Sequence, residues 1–120
     1  MSKILVVDDE PVVRELTVEI LRRSGYTPHG VPSAKHALEL LDHEAFDLVV
    51  SDVVMPEMTG VEFLYELRAR RPGLPVVLMT GGSQDPERAT KAVEIGACSL
   101  LYKPFSHAEL NAAVEAALAD

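Results

Sequence analysis

Apolar residues in this chain follow two spacings, and the two alternate along its length. Short continuous apolar runs stand at KILVV (3–7), DLVVS (47–51) and PVVLM (75–79). Runs of this kind, rich in β-branched residues, predict strands covered on both faces. Weaker runs at TPHGV (27–31) and SLLY (99–102) predict two more strands. Segments with helical spacing lie between them. PVVRELTVEILRRSG puts Val13, Leu16, Ile20 and Leu21 on one face and has Gly25 as its stop. SAKHALELLDH opens on Ser33, a good N-cap. TGVEFLYELRARRPG carries Thr59-x-x-Glu62 at its start and ends before Pro72. DPERATKAVEIG has Asp85 as cap, Pro86 at the first helical position and Gly96 beyond its end. SHAELNAAVEAALA begins with a Ser106-x-x-Glu109 capping box.

Strands joined through helices pair in parallel, with right-handed crossovers. The pattern therefore predicts an α/β fold: a three-layer α/β/α sandwich around a five-stranded parallel sheet. The 120 residues fit one compact domain spanning 1–120, and 48% hydrophobic content is enough for its core. In such sheets ligands sit beyond the carboxyl ends of the strands, where strand order reverses.

Charge narrows the function classes. Eleven Lys and Arg against nineteen Asp and Glu leave a net charge of −8. That balance argues against direct nucleic-acid binding and against attraction to an anionic membrane. The single cysteine, Cys98, cannot form an internal disulfide, and cytoplasmic residence is expected. The N-terminal apolar run is too short for a signal segment, and no stretch approaches membrane-spanning length.

The residues that follow the strands carry the chemistry. Asp8 and Asp9 follow the first strand and Asp52 follows DLVVS. Thr80, then Gly81 and Gly82, follow PVVLM, and Lys103–Pro104 follow SLLY. An acidic pair alone would suit a solvated loop or a helix N-terminus. In a parallel sheet, though, all these ends converge on one pocket with three carboxylates, a hydroxyl and an ammonium. Carboxylates that close repel one another, and a hard divalent cation relieves them. Mg²⁺ prefers oxygen ligands and keeps positions for water and phosphate. An Asp can also act as nucleophile toward a phosphoryl group. Lys103 and Thr80 would then meet the phosphoryl oxygens, and the small Gly81 and Gly82 would let backbone N–H groups approach them.

VVDDE (6–10), DVVMPEMTG (52–60), MTGG (79–82) and YKPF (102–105), in this order and spacing, resemble the receiver domain of two-component response regulators. The resemblance covers the whole chain and implies a flavodoxin-like sheet of order 2-1-3-4-5. It implies that Asp52 is the phosphoacceptor, fed by a phosphohistidine on a sensor histidine kinase or a histidine phosphotransfer protein. It implies Mg²⁺ as cofactor, held directly by Asp9, Asp52 and the backbone carbonyl of Val54, with Asp8 acting nearby. Thr80 resembles the switch hydroxyl and Lys103 the phosphate-binding lysine, and the Lys103–Pro104 peptide is expected to be cis. A downstream effector protein, or a further phosphohistidine in a relay, would read the state. The chain is expected to accept phosphate with at most slow self-hydrolysis, not to turn over external substrates.

Three positions depart from the family pattern. The aromatic switch residue expected three positions before the lysine is Leu100, and Tyr102 stands directly before Lys103. Val54 and Gly82, at positions that tune hydrolysis in relatives, cannot orient a water through their side chains. Movement on phosphorylation is therefore expected in the loop after Thr80 and at the start of the helix at Pro86, with little at Leu100. That would suit a phosphate carrier or sink, or a module read near its pocket.

Other functions fit less well. A phosphatase of the haloacid-dehalogenase type needs a second Asp two positions after the nucleophile, where this chain has Val54. A flavodoxin-like cofactor site would put Ser, Thr or Gly after the first strand, where this chain has Asp8, Asp9 and Glu10. A degenerate receiver used only for binding would lack some of the chemical residues, and all are present. The four histidines, 29, 36, 43 and 107, lack metal-ligand spacing and read as surface residues. Arg68, Arg70 and Arg71 end a helix, where positive charge suits the dipole. Met55, Met58 and Met79 read as loop and core packing, Cys98 as a small buried hydrophobe. Val12 and Val13 open the first helix beside the acidic pocket.

Overall fold

The computed structural model describes residues 2–52, 58, 60–80 and 99–119. Five strands, β1 (Lys3–Val7), β2 (Thr27–Val31), β3 (Leu48–Asp52), β4 (Val76–Thr80) and β5 (Ser99–Tyr102), form one sheet. Every pair in it is parallel, in the order β2-β1-β3-β4-β5. Four helices are described: α1 (Pro11–Arg23), α2 (Ala34–Leu41), α3 (Gly60–Arg70) and α4 (His107–Ala119). The expected helix from Asp85 to Gly96, the Thr59 cap and Cys98 lie outside the described residues.

Side chains of a strand point alternately to the two faces of its sheet, and here both faces are apolar. Leu5, Val7, Val49, Val76 and Leu78 pack under Leu38 and Leu41 of α2 and Phe63, Leu64 and Leu67 of α3. Ile4, Val6, Leu48, Val50, Val77 and Met79 pack on the other side under Ile20 and Leu21 of α1 and Leu110 and Val114 of α4. This is the three-layer sandwich, with the flavodoxin-like strand order.

Two strands begin and end one residue later than the apolar runs suggest. Asp47 stays outside β3, where its carboxylate accepts the Lys3 N–H at 2.7 Å and its own N–H donates to Lys3 O at 2.8 Å. Pro75 has no N–H for the ladder, so β4 starts at Val76 while the Pro75 carbonyl accepts from Val49 N at 3.0 Å. The shift brings Asp52 and Thr80 into the last rungs of the sheet, with Asp52 opposite Met79 and Thr80 opposite Tyr102.

The inward face of α1 also differs from expectation. Leu16 is exposed, while Thr17 is fully buried beside Ile20 and Leu21. Thr17 can be buried because its hydroxyl donates to Val13 O at 2.8 Å, on its own helix. Helix α1 ends as its glycine suggests. Gly25 takes a positive φ of 95°, and Tyr26 N donates back to Leu21 O at 3.1 Å.

Ser33 accepts the His36 N–H at 3.2 Å. The Ser106 hydroxyl accepts Glu109 N–H and the Glu109 carboxylate accepts Ser106 N–H, both at 3.0 Å. This reciprocal pair fixes the start of α4 just after Lys103 and Pro104. Ser106→Ala is expected to cost about 1 kcal/mol in chemical denaturation, the usual value of an N-cap side chain. An unchanged midpoint would show that the box contributes nothing.

Candidate functional site

The chain leaves β1 outward to β2 and returns to β3 on the other side of β1. The reversal opens a crevice beyond the carboxyl ends of β1 and β3, the usual ligand position in such sheets. Asp8 follows β1 directly and Asp52 is the last residue of β3.

Asp8 is fully buried, an expensive place for a carboxylate, and each of its polar atoms is engaged. Its N–H donates to Val31 O at 3.2 Å, and its carbonyl accepts from Arg14 Nη1 at 2.9 Å. Its Oδ1 accepts the Glu10 N–H at 3.0 Å, and its Oδ2 lies 3.4 Å from Lys103 Nζ. Asp9 is exposed at the rim. The Asp52 side chain is mostly buried, with Oδ2 at 3.0 Å from Lys103 Nζ. The buried Ser51 hydroxyl donates to the Asp52 carbonyl at 3.0 Å.

Lys103 reaches this group from the end of β5, where its main chain is hydrogen-bonded to β4. Its N–H donates to Thr80 O at 2.7 Å, and the Lys103–Pro104 peptide is cis. Thr80 is buried at the end of β4. Burial pushes the Asp8 carboxyl above its ordinary pKa; the Glu10 N–H and Lys103 oppose this and the charge of Asp52 adds to it. Burial draws Lys103 down, but its hydrogen bond to Asp52 and the charges of Asp52 and Asp8 outweigh that, so its pKa lies above the ordinary value. The lysine is thus held charged beside two carboxylates.

One carboxylate oxygen from each of Asp8, Asp9 and Asp52 lies within 4.8 Å of the other two. Three carboxylates against one ammonium leave an excess of negative charge, and the cluster's donors are hard oxygens. Such a set fits Mg²⁺ better than a soft, nitrogen- or sulfur-seeking metal.

The structure therefore brings Asp8, Asp9, Asp52 and Lys103 together and sets Thr80 at the adjacent strand end. Val54, Gly81, Gly82 and Pro86 lie outside the described residues. Leu100 is half-buried and packs against the α2–α3 side of the core, while Tyr102 is 53% exposed. All four histidines are exposed. Met79 is buried in the core and Met58 packs against it; Met55 lies outside the described residues. Val12, at the start of α1, is 73% exposed, and Val13 is half-buried. Arg68 donates to the carbonyls of Pro72 and Leu74, Arg71 to that of Leu41, and Arg70 pairs with Asp42, so these cations tie local structure together. Two contributors are not singled out by sequence pattern, Arg14 and Ser51. Their hydrogen bonds go to main-chain carbonyls, which a residue pattern does not display.

The family model described as response regulator receiver domain matches residues 4–115. The chain is 45% identical over 105 residues to response regulator protein FleR of Pseudomonas aeruginosa, covering 87% of this chain and 22% of FleR's length. Among solved structures, the receiver domain of NtrX from Brucella abortus superposes with a TM-score of 0.92 at 34% identity, covering 97% of this chain and 98% of that one. Chemotaxis protein CheY4 of Vibrio cholerae superposes with a TM-score of 0.91 at 31% identity, covering 98% and 99%.

Proposed function

The chain belongs to the response regulator receiver domain family, phosphoacceptors of two-component signalling, and from that premise we propose that Asp52 receives the phosphoryl group here. The observation that carries this reading is the contact of Lys103 Nζ with Asp52 Oδ2 at 3.0 Å, inside a cluster of three carboxylates. Asp52 combines three properties. It ends a central strand, so it is fixed. It keeps some solvent access. Its charge is balanced by a lysine that can also meet incoming phosphate.

The step is a displacement at phosphorus. A carboxylate oxygen of Asp52 forms a new O–P bond while the P–N bond of a donor phosphohistidine breaks, and the electron pair returns to the imidazole nitrogen. Lys103 is placed beside the oxygens that gain charge, and the Thr80 hydroxyl stands at the neighbouring strand end. Mg²⁺, which Asp8, Asp9, Asp52 and the Val54 carbonyl would hold, supplies charge neutralisation for the phosphoryl oxygens. Response regulators work with histidine kinases and effectors. For this chain the donor is read as a histidine kinase or a histidine phosphotransfer protein, and the reader as an effector protein. The net charge of −8 supports a protein reader over direct nucleic-acid contact. Among the described residues no helix is long and apolar enough to cross a membrane. We place the reaction in the cytoplasm and treat the whole of 1–120 as the receiver domain. Hydrolysis of the acyl phosphate is expected to be slow, because Val54 and Gly82 offer no side-chain hydrogen bond to a water. Leu100 has no ring to swing, so the response is placed in the loop after Thr80 and at Pro86.

A Mg²⁺ titration tests the cofactor assignment. Asp9→Ala is expected to weaken binding by at least about tenfold, the usual scale for losing a partner of a metal site. Equal affinity in the variant would move the metal elsewhere.

A further inference from the structure

We propose that Arg14 is a positioning residue for the metal site, acting on Asp9 through the Asp8–Asp9 peptide. This inference rests on the reading of Asp9 as a Mg²⁺ ligand and adds a residue which that reading does not contain. The Asp8 carbonyl and the Asp9 N–H belong to one planar peptide, so holding the carbonyl sets the plane from which Asp9 departs. Arg14 Nη1 holds that carbonyl at 2.9 Å. The other contacts of Asp8, through N–H, Oδ1 and Oδ2, lie on the far side of its own rotatable bonds from this carbonyl. Asp9 itself is exposed, so packing does little to fix it.

The arginine is held in turn. It sits in the first turn of α1, where its N–H donates to Glu10 O at 2.9 Å. Its stem lies over the bare backbone of Gly30 in β2, where an added Cβ would come within 3.2 Å of Arg14 Cγ and 3.1 Å of Val18 Cγ2. A glycine on this strand thus leaves room for a side chain to cross it and reach the loop after β1. A donor locked by packing and aimed at a ligand-bearing peptide is how a supporting residue sets ligand geometry.

Charge alone predicts the opposite effect. A guanidinium beside a cation site disfavours the cation, so removing it should tighten Mg²⁺ binding. The sign of the change therefore separates the two roles. Wild type, Arg14→Met, Asp9→Ala and the double variant are titrated with Mg²⁺, and the Asp9 amide resonance is followed in the metal-free proteins. Arg14→Met is expected to weaken binding about tenfold. It should shift the Asp9 amide resonance and cost little further affinity once Asp9 is already Ala, because the two act through one peptide. If Arg14→Met does not fold, Arg14→Lys takes its place, with loss of the fixed fork geometry giving the same direction of change. Unchanged or tighter binding, an unmoved Asp9 resonance, or fully additive losses overturn the proposal. Wild-type binding that Asp9→Ala leaves intact overturns the underlying reading, and the proposal with it.

Discussion

Asp52→Asn will take up no phosphoryl group from acetyl phosphate and Mg²⁺ under conditions in which the wild-type chain accepts one. The substitution keeps the size and shape of the side chain, and an amide oxygen can still accept from Lys103. What it removes is the anionic oxygen that, on the proposed reading, forms the O–P bond. Loss of a nucleophile of this kind lowers the rate by at least about a thousandfold. The fold should not suffer. Asp52 sits at the end of its strand, and the change removes one of three mutually repelling carboxylates, so thermal stability should hold or rise. Uptake by the variant at the wild-type rate would mean that the acceptor is another residue.

Lys103→Ala is expected to separate phosphorylation from response. Lys103 now balances Asp52 at 3.0 Å and Asp8 at 3.4 Å. Its removal leaves the buried Asp8 without its cation, a loss of about 1–3 kcal/mol for a charged partner, which the apolar core can absorb. The larger effect appears after transfer. Phosphorylation adds about −1.5 to −2 charges at the acceptor. In the wild type the ammonium can follow that charge and draw the end of β4 with it, because Lys103 N–H and Thr80 O are bonded at 2.7 Å. A ligand shifts a two-state equilibrium only as far as it binds the two states differently, and on the proposed reading Lys103 supplies much of that difference. The beryllofluoride-induced change in the Thr80 amide resonance should therefore shrink by most of its amplitude in Lys103→Ala. A full-sized change would assign the coupling to other groups.

Much of this site can be read from the sequence because its residues follow apolar runs. A continuous run such as KILVV signals a strand covered on both sides, and the polar residue after it signals where the strand opens. Asp8, Asp52, Thr80 and Lys103 are legible for that reason. What escapes the pattern depends on main-chain partners. Thr17 is not among the inward residues that the helical spacing picks out, yet it is buried because Val13 O satisfies its hydroxyl, and Leu16 is left outside. Asp47 reads as the start of a strand, but its carboxylate is used on Lys3 N–H. Arg14 is not singled out by the sequence pattern, and its bond to the Asp8 carbonyl, with its stem across Gly30, appears only in three dimensions. Strand order beyond the parallel pairing also lies outside periodicity. The family resemblance implies it, and the sheet has that order.

An aspartyl phosphate is reduced by borohydride to homoserine, which leaves a permanent mark on the acceptor. The chain is treated with acetyl phosphate and Mg²⁺, reduced, digested and sequenced by mass spectrometry. Homoserine at position 52 and at no other carboxylate is the predicted result. Homoserine at Asp8, Asp9 or elsewhere, with Asp52 intact, would contradict the account.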